Sequence, residues 1–156
     1  MRIGIIGPES TGKSTLAQHL VQELGGTLIP EYAREYVAKK GTPEVTWEEL
    51  CGIAKRQIQE MASLESSEAK VVIFDTELII TKVWFDYAFG RVPDWLEEAI
   101  KKYPMDKYYL CQPDIPWIAD PARSNGSDQI RWELYHRYEQ EIQQLGIPYQ
   151  VIQHTC

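Results

Sequence analysis

The chain has 156 residues and a formal net charge of −7, from 16 Lys and Arg against 23 Asp and Glu. This length suits a single domain spanning residues 1–156, large enough to bury roughly two thirds of the surface of the unfolded chain. The acidic balance, without a Lys/Arg cluster, argues against nucleic acid as a partner, and no apolar run approaches the roughly 18 residues that cross a membrane.

The first predicted element is a strand that leads into a phosphate-binding loop. Apolar residues 3–6 are followed by Gly-Pro-Glu-Ser-Thr-Gly-Lys-Ser at 7–14, which matches the pattern G-x-x-x-x-G-K-[ST], and then by a helical pattern over 16–24. The backbone amides of such a loop and the positive end of the helix dipole attract phosphate. A Gly/Ser-rich turn that only caps a helix is the alternative, and the order of strand, loop and helix argues against it. The expected nucleotide-binding positions are Gly7, Glu9, Ser10, Thr11, Gly12, Lys13, Ser14 and Thr15.

Two side chains of this loop have specific expected roles. Lys13 should reach the β- and γ-phosphates of ATP as a point charge. The hydroxyl of Ser14 should be a ligand of the Mg²⁺ ion that bridges the same phosphates. ATP and Mg²⁺ are therefore the predicted cofactors.

Strands and helices alternate along the rest of the chain. Apolar segments predict strands at 27–29, 71–75, 107–111 and 148–152. Periodicity predicts helices at 32–40, from 46 to about 61, from about 79 to Gly90, at 93–103 and from about 129 to Gly146. Thr46 and Glu49 have the spacing of a capping box, and the helix that follows them has an apolar stripe expected in the core, at Trp47, Leu50, Cys51, Ala54, Ile58 and Met61. The alternation is typical of an α/β fold with a parallel sheet, right-handed crossovers and helices on both faces.

Two acidic residues follow strands at the edge where parallel sheets bind their ligands. Asp75 ends the apolar run 71–75 and is expected near Mg²⁺, directly or through a water. Glu31 comes just after the strand at 27–29, and either carboxylate is positioned to accept the proton of a sugar hydroxyl. The alternative for Glu31 is that it only complements the dipole of the helix at 32–40. A long polar loop at 112–128 is a candidate lid at the same edge.

Missing motifs narrow the class of protein. The sequence lacks the D-x-x-G and N-K-x-D of regulatory GTPases and the L-S-G-G-Q of transporter ATPases, and it is short for a ring-forming mechanical ATPase. A small-molecule kinase remains, with Arg123 in the lid to meet charge that develops on the transferred phosphoryl group. The alternatives are that Arg123 pairs with Asp120 or Asp128 on the surface, or that Arg131 takes the lid role.

Four blocks of the sequence together resemble the nicotinamide riboside kinase domain of NadR-type proteins. They are Gly7–Thr15; Glu31–Glu35; Asp75–Glu77 with Thr81–Trp84; and Pro113–Trp117 with Asp120 and Arg123. The resemblance runs in order through nearly the whole chain, and the last block is the most distinctive. It implies a P-loop kinase fold with strand order 2-3-1-4-5 that transfers the γ-phosphate of ATP to the 5′-hydroxyl of nicotinamide riboside, giving nicotinamide mononucleotide.

A pocket for nicotinamide riboside has to receive a pyridinium cation. Aromatic faces and a carboxylate favour such a ring over neutral bases. Trp117, flanked by Asp114 and Asp120, is the first choice for stacking on this small-molecule substrate. Weaker candidates are Trp84, Tyr87 and Tyr32, and the helix-stripe position of Trp84 also fits a core residue.

The N-terminus and the cysteines indicate the cellular compartment to expect. Met1 and Arg2 lead directly into the first strand, which leaves no room for a signal peptide. Cys51, Cys111 and Cys156 lie far apart without C-x-x-C spacing, so free thiols are expected rather than disulfides or a zinc site. We therefore expect a cytoplasmic protein.

Two other functions stay open at this stage. One is a regulatory module of the same fold that binds ATP without transferring phosphate, and the other is a kinase for a different nucleoside. The two carboxylates and the lid arginine favour a kinase over the regulatory module. The sequence also leaves open whether the chain forms a homo-oligomer.

Overall fold

The fold is built on a five-stranded parallel sheet whose strands are joined by helices. The computed structural model describes residues 1–8, 12–42, 44–66, 68–113 and 128–153. Its strands are β1 (Arg2–Ile6), β2 (Thr27–Ile29), β3 (Val72–Asp75), β4 (Lys107–Cys111) and β5 (Tyr149–Ile152). Its helices are α1 (Lys13–Leu24), α2 (Tyr32–Lys40), α3 (Trp47–Ser63), α4 (Leu78–Phe89), α5 (Asp94–Lys102) and α6 (Asp128–Leu145), with a short 3₁₀ turn at Leu64–Ser66.

The order of strands across the sheet is β2-β3-β1-β4-β5, and every neighbouring pair is parallel. This confirms the α/β class and the order 2-3-1-4-5. The carboxyl ends of all the strands consequently meet at one edge. Within it, β1 lies directly beside β3, with Ile5 opposite Asp75, so the loop after β1 is next to the acid that ends β3.

Both faces of the sheet are covered. Ile3 and Ile5 of β1 pack with Ala17 of α1 and Ile73 of β3 in a smaller core cluster, whereas Phe74, the next residue of β3, belongs to the larger cluster formed with α3 to α6. Because successive side chains of a strand point to opposite faces, this division explains the continuous apolar run of β3. The predicted helices on both faces are confirmed.

Local signals account for most helix boundaries. The capping box is present, since Thr46 Oγ1 accepts from the backbone N–H of Glu49 and Glu49 Oε1 accepts from that of Thr46, each at 3.1 Å. Four helices end at a glycine with positive φ, namely Gly25, Gly41, Gly90 and Gly146.

The predicted core stripe of α3 needs a correction. Leu50, Ala54 and Met61 are buried as expected, but the buried face also contains Ile53 and Gln57. The other predicted members, Trp47, Cys51 and Ile58, are half-buried against the core cluster. The stripe is displaced toward Gln57, a polar residue that the apolar pattern alone could not include.

Two expectations from composition can be compared with the structure. Among the described residues, no helix is long and apolar enough to cross a membrane. Cys51 is half-buried and Cys111 is buried, neither is in a disulfide in the described part of the chain, and Cys156 lies outside it.

Candidate active site

The junction of β1, β3 and α1 brings a hydroxyl and a carboxylate together. Ser14, the second residue of α1, donates its Oγ hydrogen to Oδ2 of Asp75 at 2.7 Å. Asp75 ends β3 and is buried. This contact joins two of the predicted site residues, which lie 61 positions apart in the sequence.

These two oxygen ligands fit a Mg²⁺ ion. Mg²⁺ prefers hard oxygen donors and is usually held by one or two protein groups, with phosphate oxygens and waters completing its shell. Within the described part of the chain, no group of three or more His, Cys, Asp or Glu side chains could form a metal cage. Ser14 and Asp75 could supply the protein oxygens of a Mg²⁺ shell completed by phosphate and water.

Lys13 lies inside the phosphate-binding loop. Its side chain is buried, and its ammonium donates to the carbonyl oxygens of Gly7 at 2.8 Å and Pro8 at 3.2 Å. Gly12, which precedes it, has φ 77°, a left-handed conformation that glycine adopts without the steric penalty of a Cβ. The ammonium is thus already held at the loop, where phosphate oxygens can replace the carbonyl partners.

Part of the predicted nucleotide site cannot be located. Glu9, Ser10 and Thr11 lie outside the described residues. Thr15 is exposed on the first turn of α1. The roles of these four residues stay predictions.

A cleft opens beside Asp75 at the same edge of the sheet, and we call it the edge cleft. The space between its walls is about 250 Å³ with open solvent included, so the cleft is a partly open recess and not a closed cavity of that size. Its walls come from the β2–α2 connection, from α3 and from the β3–α4 connection. The lining residues are Ile29, Pro30, Tyr32, Gln57, Glu60, Met61, Phe74, Thr76 and Glu77.

Glu77 is a buried carboxylate in the wall of this cleft. It is the N-cap residue of α4, and its Oε1 accepts from the N–H of Ile79 and from the hydroxyl of Tyr108, both at 3.1 Å. Burial raises the pKa of Glu77 from 4.5 to about 7, although its hydrogen bonds act in the opposite direction. Burial, followed by the charge of Glu77, also raises the pKa of Tyr108 far above its usual range.

Tyr108 can reach Glu77 because the neighbouring strand has a glycine beneath its ring. A Cβ built on Gly4 would lie 2.7 Å from Cε1 and 2.8 Å from Cδ1 of Tyr108. Gly4 and Tyr108 are register partners in the β1–β4 pair. The absence of a side chain at position 4 therefore lets the ring lie across β1 toward the β3–α4 connection.

Thr76 has an unusual backbone in the same connection. Its φ is 71°, and it is the one residue other than glycine with a positive φ in the described ranges. Its N–H donates to the carbonyl of Ile5 at 2.9 Å. Thr76 is 6% exposed and lines the edge cleft, and within the described part of the chain its Oγ1 has no hydrogen-bond partner.

A ring and a carboxylate on the other side of the cleft already interact with a cation. The guanidinium of Arg56 lies 5.2 Å from the centroid of the Tyr32 ring, and its Nε is 3.4 Å from Oε1 of Glu60. Tyr32 and Glu60 both line the cleft. This wall therefore already has a cation partner, which a positively charged ligand would have to displace.

Gln57 is held in place within the cleft by α4. Its side chain is buried, and Oε1 accepts from the hydroxyl of Thr81 at 2.7 Å. Sequence reasoning missed Gln57, Thr76 and Glu77 as site residues. The useful signal for the last two was their position directly after Asp75 at the end of a buried strand.

The remaining predicted residues are placed as follows. Glu31 is the half-buried N-cap residue of α2, and its side chain makes no capping hydrogen bond. Trp84 packs against the core, and Tyr87 is exposed with Arg137 5.8 Å from its ring centroid; neither lines the cleft. Arg131, the rival for the lid role, is fully buried in α6.

The lid itself falls outside the described residues. This applies to Asp114, Trp117, Asp120 and Arg123. Their assignments to substrate binding and catalysis stay predictions.

Sequence comparisons identify a family and relatives of this chain. A family model described as "AAA domain" matches residues 2–155. The chain is 29% identical over 150 residues to the trifunctional NAD biosynthesis/regulator protein NadR of Escherichia coli K12, covering 94% of this chain and 37% of that protein. It is 31% identical over 132 residues to NadR of Salmonella typhimurium LT2, covering 83% of this chain and 32% of that protein. The chain thus spans about a third of the length of these relatives.

Solved structures establish the fold. A NadR protein in complex with NAD and AMP-PNP superposes with a TM-score of 0.76 at 19% identity, covering 97% of this chain and 44% of that one. A NadR protein in complex with NR gives 0.73 at 20% identity, covering 96% and 43%. Thymidylate kinase from Ehrlichia chaffeensis gives 0.70 at 15% identity, covering 100% and 88%. The chain therefore belongs to the AAA-domain family of P-loop proteins, is homologous to NadR and has the fold of the P-loop kinases.

Proposed function

We propose that this chain is an ATP- and Mg²⁺-dependent nucleoside kinase that phosphorylates the 5′-hydroxyl of nicotinamide riboside to give nicotinamide mononucleotide. The observation that carries the proposal is the contact between Ser14, which follows Lys13, and Asp75, whose sequence neighbours Phe74 and Thr76 line the edge cleft. In this proposal the P-loop binds the γ-phosphate beside Asp75, and the cleft lined by Phe74 and Thr76 receives the acceptor. Homology to a NAD biosynthesis protein supports the proposal that the substrate is a precursor of NAD.

Each charged group at the junction has a role in phosphoryl transfer. The 5′-oxygen bonds to the γ-phosphorus while the bond from that phosphorus to the β–γ bridging oxygen breaks, and the acceptor proton passes to a carboxylate. Lys13 binds oxygens of the β- and γ-phosphates. Ser14 and Asp75 would hold Mg²⁺, which when bound neutralises charge on the same oxygens.

The acceptor base is proposed to be Glu31. Asp75 already receives the hydrogen of Ser14, which suits a role at the metal. Glu31 stands at the end of β2, adjacent in sequence to the cleft residues Pro30 and Tyr32. From the predicted lid, Arg123 would add positive charge to the transferred group.

The charge of the cleft supports a cationic acceptor. The ring of nicotinamide riboside carries a positive charge, and the cleft contributes Glu60, Glu77 and the face of Tyr32. The pyridinium ring would take the place of the Arg56 guanidinium that Tyr32 and Glu60 now contact. One of the structural relatives is a NadR protein in complex with NR, which agrees with this substrate. The predicted stacking on Trp117 would close the pocket from the lid.

The test is a comparison of nucleosides at fixed Mg²⁺ and ATP, with phosphorylated products quantified by chromatography and mass. We expect nicotinamide mononucleotide to accumulate in proportion to ATP consumed. The reduced, uncharged form of nicotinamide riboside serves as a ligand control of nearly the same shape, and it should react less efficiently. Lys13→Ala should abolish transfer.

Three results would contradict parts of the proposal. ATP binding without phosphorylation of any nucleoside would favour the regulatory module. Phosphorylation of a neutral nucleoside in preference to nicotinamide riboside would support the kinase activity but contradict the assignment of nicotinamide riboside as the substrate. Retained turnover in Lys13→Ala would remove the phosphate-site model.

A further inference from the structure

We propose that Thr76 binds the acceptor directly, its hydroxyl forming a hydrogen bond with a ribose hydroxyl of the nucleoside in the edge cleft. This inference rests on the proposed nucleoside kinase activity and assigns a substrate contact that the sequence motifs did not indicate. Two independent observations support it, the unsatisfied hydroxyl and the strained backbone.

The first observation is the state of the hydroxyl. Thr76 is 6% exposed, and Oγ1 has no hydrogen-bond partner among the residues that the structure describes, although Thr76 lines the cleft. Buried hydroxyl groups nearly always have a partner, because removing one from water without compensation is unfavourable. A ribose hydroxyl in the cleft would supply the missing partner.

The second observation is the backbone conformation. A φ of 71° is unfavourable for a β-branched residue, and such outliers concentrate at functional sites where the surrounding structure holds them. Here the N–H of Thr76 donates to Ile5 of β1, and the next residue, Glu77, is fixed by Tyr108 and by the start of α4. Glycine would relieve the strain but would lose the hydroxyl.

The position in the chain agrees with an acceptor contact. Thr76 directly follows Asp75, whose carboxylate contacts Ser14 of the phosphate site. A group that orients the sugar must lie close to the transferred phosphoryl, because small misplacements of the acceptor reduce the rate strongly. Phe74 and Thr76 are the two cleft residues that flank Asp75 in the sequence, and of these two Thr76 has the hydroxyl.

The test uses variants that separate hydroxyl, shape and strain. Thr76→Val keeps the branched shape and removes the hydroxyl, Thr76→Ser keeps the hydroxyl, and Thr76→Gly removes both hydroxyl and strain. For Thr76→Val we expect kcat/KM for nicotinamide riboside to fall roughly 10-fold or more, with the KM for Mg·ATP within about twofold of wild type. Thr76→Ser should recover most of the loss, and Thr76→Gly should resemble the valine variant.

The melting temperature separates a substrate contact from a structural role. If Thr76 mainly stabilised the fold, replacing it would lower the Tm. Thr76→Val and Thr76→Gly should unfold at or above the wild-type Tm, since each removes an unsatisfied hydroxyl and the glycine also removes strain. Thr81→Val is the matched control, because its hydroxyl donates to Gln57 Oε1, and removing it should lower the Tm.

Nucleosides lacking the 2′- or the 3′-hydroxyl complete the cycle. The loss caused by Thr76→Val should disappear for the analogue that lacks the hydroxyl bound by Thr76. Wild-type kinetics of Thr76→Val with nicotinamide riboside, or equal losses in the serine and valine variants, would overturn the inference while leaving the proposed function intact. If wild type phosphorylates another nucleoside instead, the same variants are compared on that substrate, and a valine-specific loss there supports the inference while the proposed substrate fails. If no nucleoside binds or reacts, both fail together.

Discussion

Replacing Glu77 by glutamine should make the ligand-free protein more stable at neutral pH. Glutamine has nearly the same shape, and its Oε1 can accept the same hydrogens from Tyr108 and from the N–H of Ile79. It differs in having no proton that ionises. The substitution therefore isolates the free energy of keeping an ionisable carboxyl in a buried place.

The sign and size of the effect follow from the pKa of Glu77. Burial raises this pKa from 4.5 to about 7. Below pH 4.5 the carboxyl is protonated in both states, so its contribution to stability is fully present. Between pH 4.5 and about 7 the unfolded chain releases the proton while the folded chain keeps it, and stability falls. The shift corresponds to roughly 3 kcal/mol, lost across this window and absent from Glu77→Gln.

The assay is urea unfolding at several pH values from 5 to 8, without nucleotide and with a chelator. We expect the free energy of unfolding of Glu77→Gln to exceed that of wild type by a margin that grows with pH and levels off above about pH 7. Glu49→Gln is the control: hydrogen bonds from Lys40 and Tyr36 lower the pKa of Glu49 to about 2, so its difference from wild type should not vary between pH 5 and 8. A Glu77→Gln difference that is constant over the same range would refute the reasoning.

Three further predictions concern other parts of the site. Ser14→Ala should lower kcat on the order of 100-fold and raise the Mg²⁺ concentration needed for half-maximal rate, and an unchanged Mg²⁺ titration would contradict the metal role. Gly4→Ala should reduce the free energy of unfolding by about 1–3 kcal/mol in urea melts, because its Cβ would lie 2.7 Å from the ring of Tyr108; a neutral effect would show that the ring has room to move. Trp117→Ala should raise the KM for nicotinamide riboside with little change in ATP binding, and an unchanged KM would remove it from the pocket.

Local patterns in the sequence were sufficient for the elements and for the phosphate site. A capping box, glycines after helices and apolar periodicity act over a few residues, so they can be read without knowing the fold. The pairing of Ser14 with Asp75 could be expected because both belong to motifs with a fixed place on a parallel sheet. The strand order followed from the family resemblance.

The edge cleft could not be predicted in the same way, because its walls come from three separate segments. Gln57 is polar and was passed over in an apolar stripe, yet α4 supplies the hydroxyl of Thr81 that allows its burial. Tyr108 was read only as a strand residue. Its contact with Glu77 depends on the space left by the missing side chain of Gly4. Gly4 lies 104 positions before Tyr108 in the sequence, and the two residues become neighbours only when β1 pairs with β4. Such contacts depend on tertiary packing rather than on local propensity.

The three residues from Asp75 to Glu77 concentrate features that each lower the stability of the ligand-free fold. One is a buried carboxylate at the phosphate site, the next a strained threonine with an unsatisfied hydroxyl, and the third a desolvated glutamate. A sequence selected for stability alone would retain none of these at adjacent positions, and local conflicts of this kind are expected where a protein binds its ligands. In the proposed complex a metal would contact Asp75, a ribose hydroxyl would contact Thr76, and a cationic ring would lie near Glu77. The β3–α4 connection should therefore be stabilised by bound nucleotide through Asp75 and by bound nucleoside through Thr76 and Glu77.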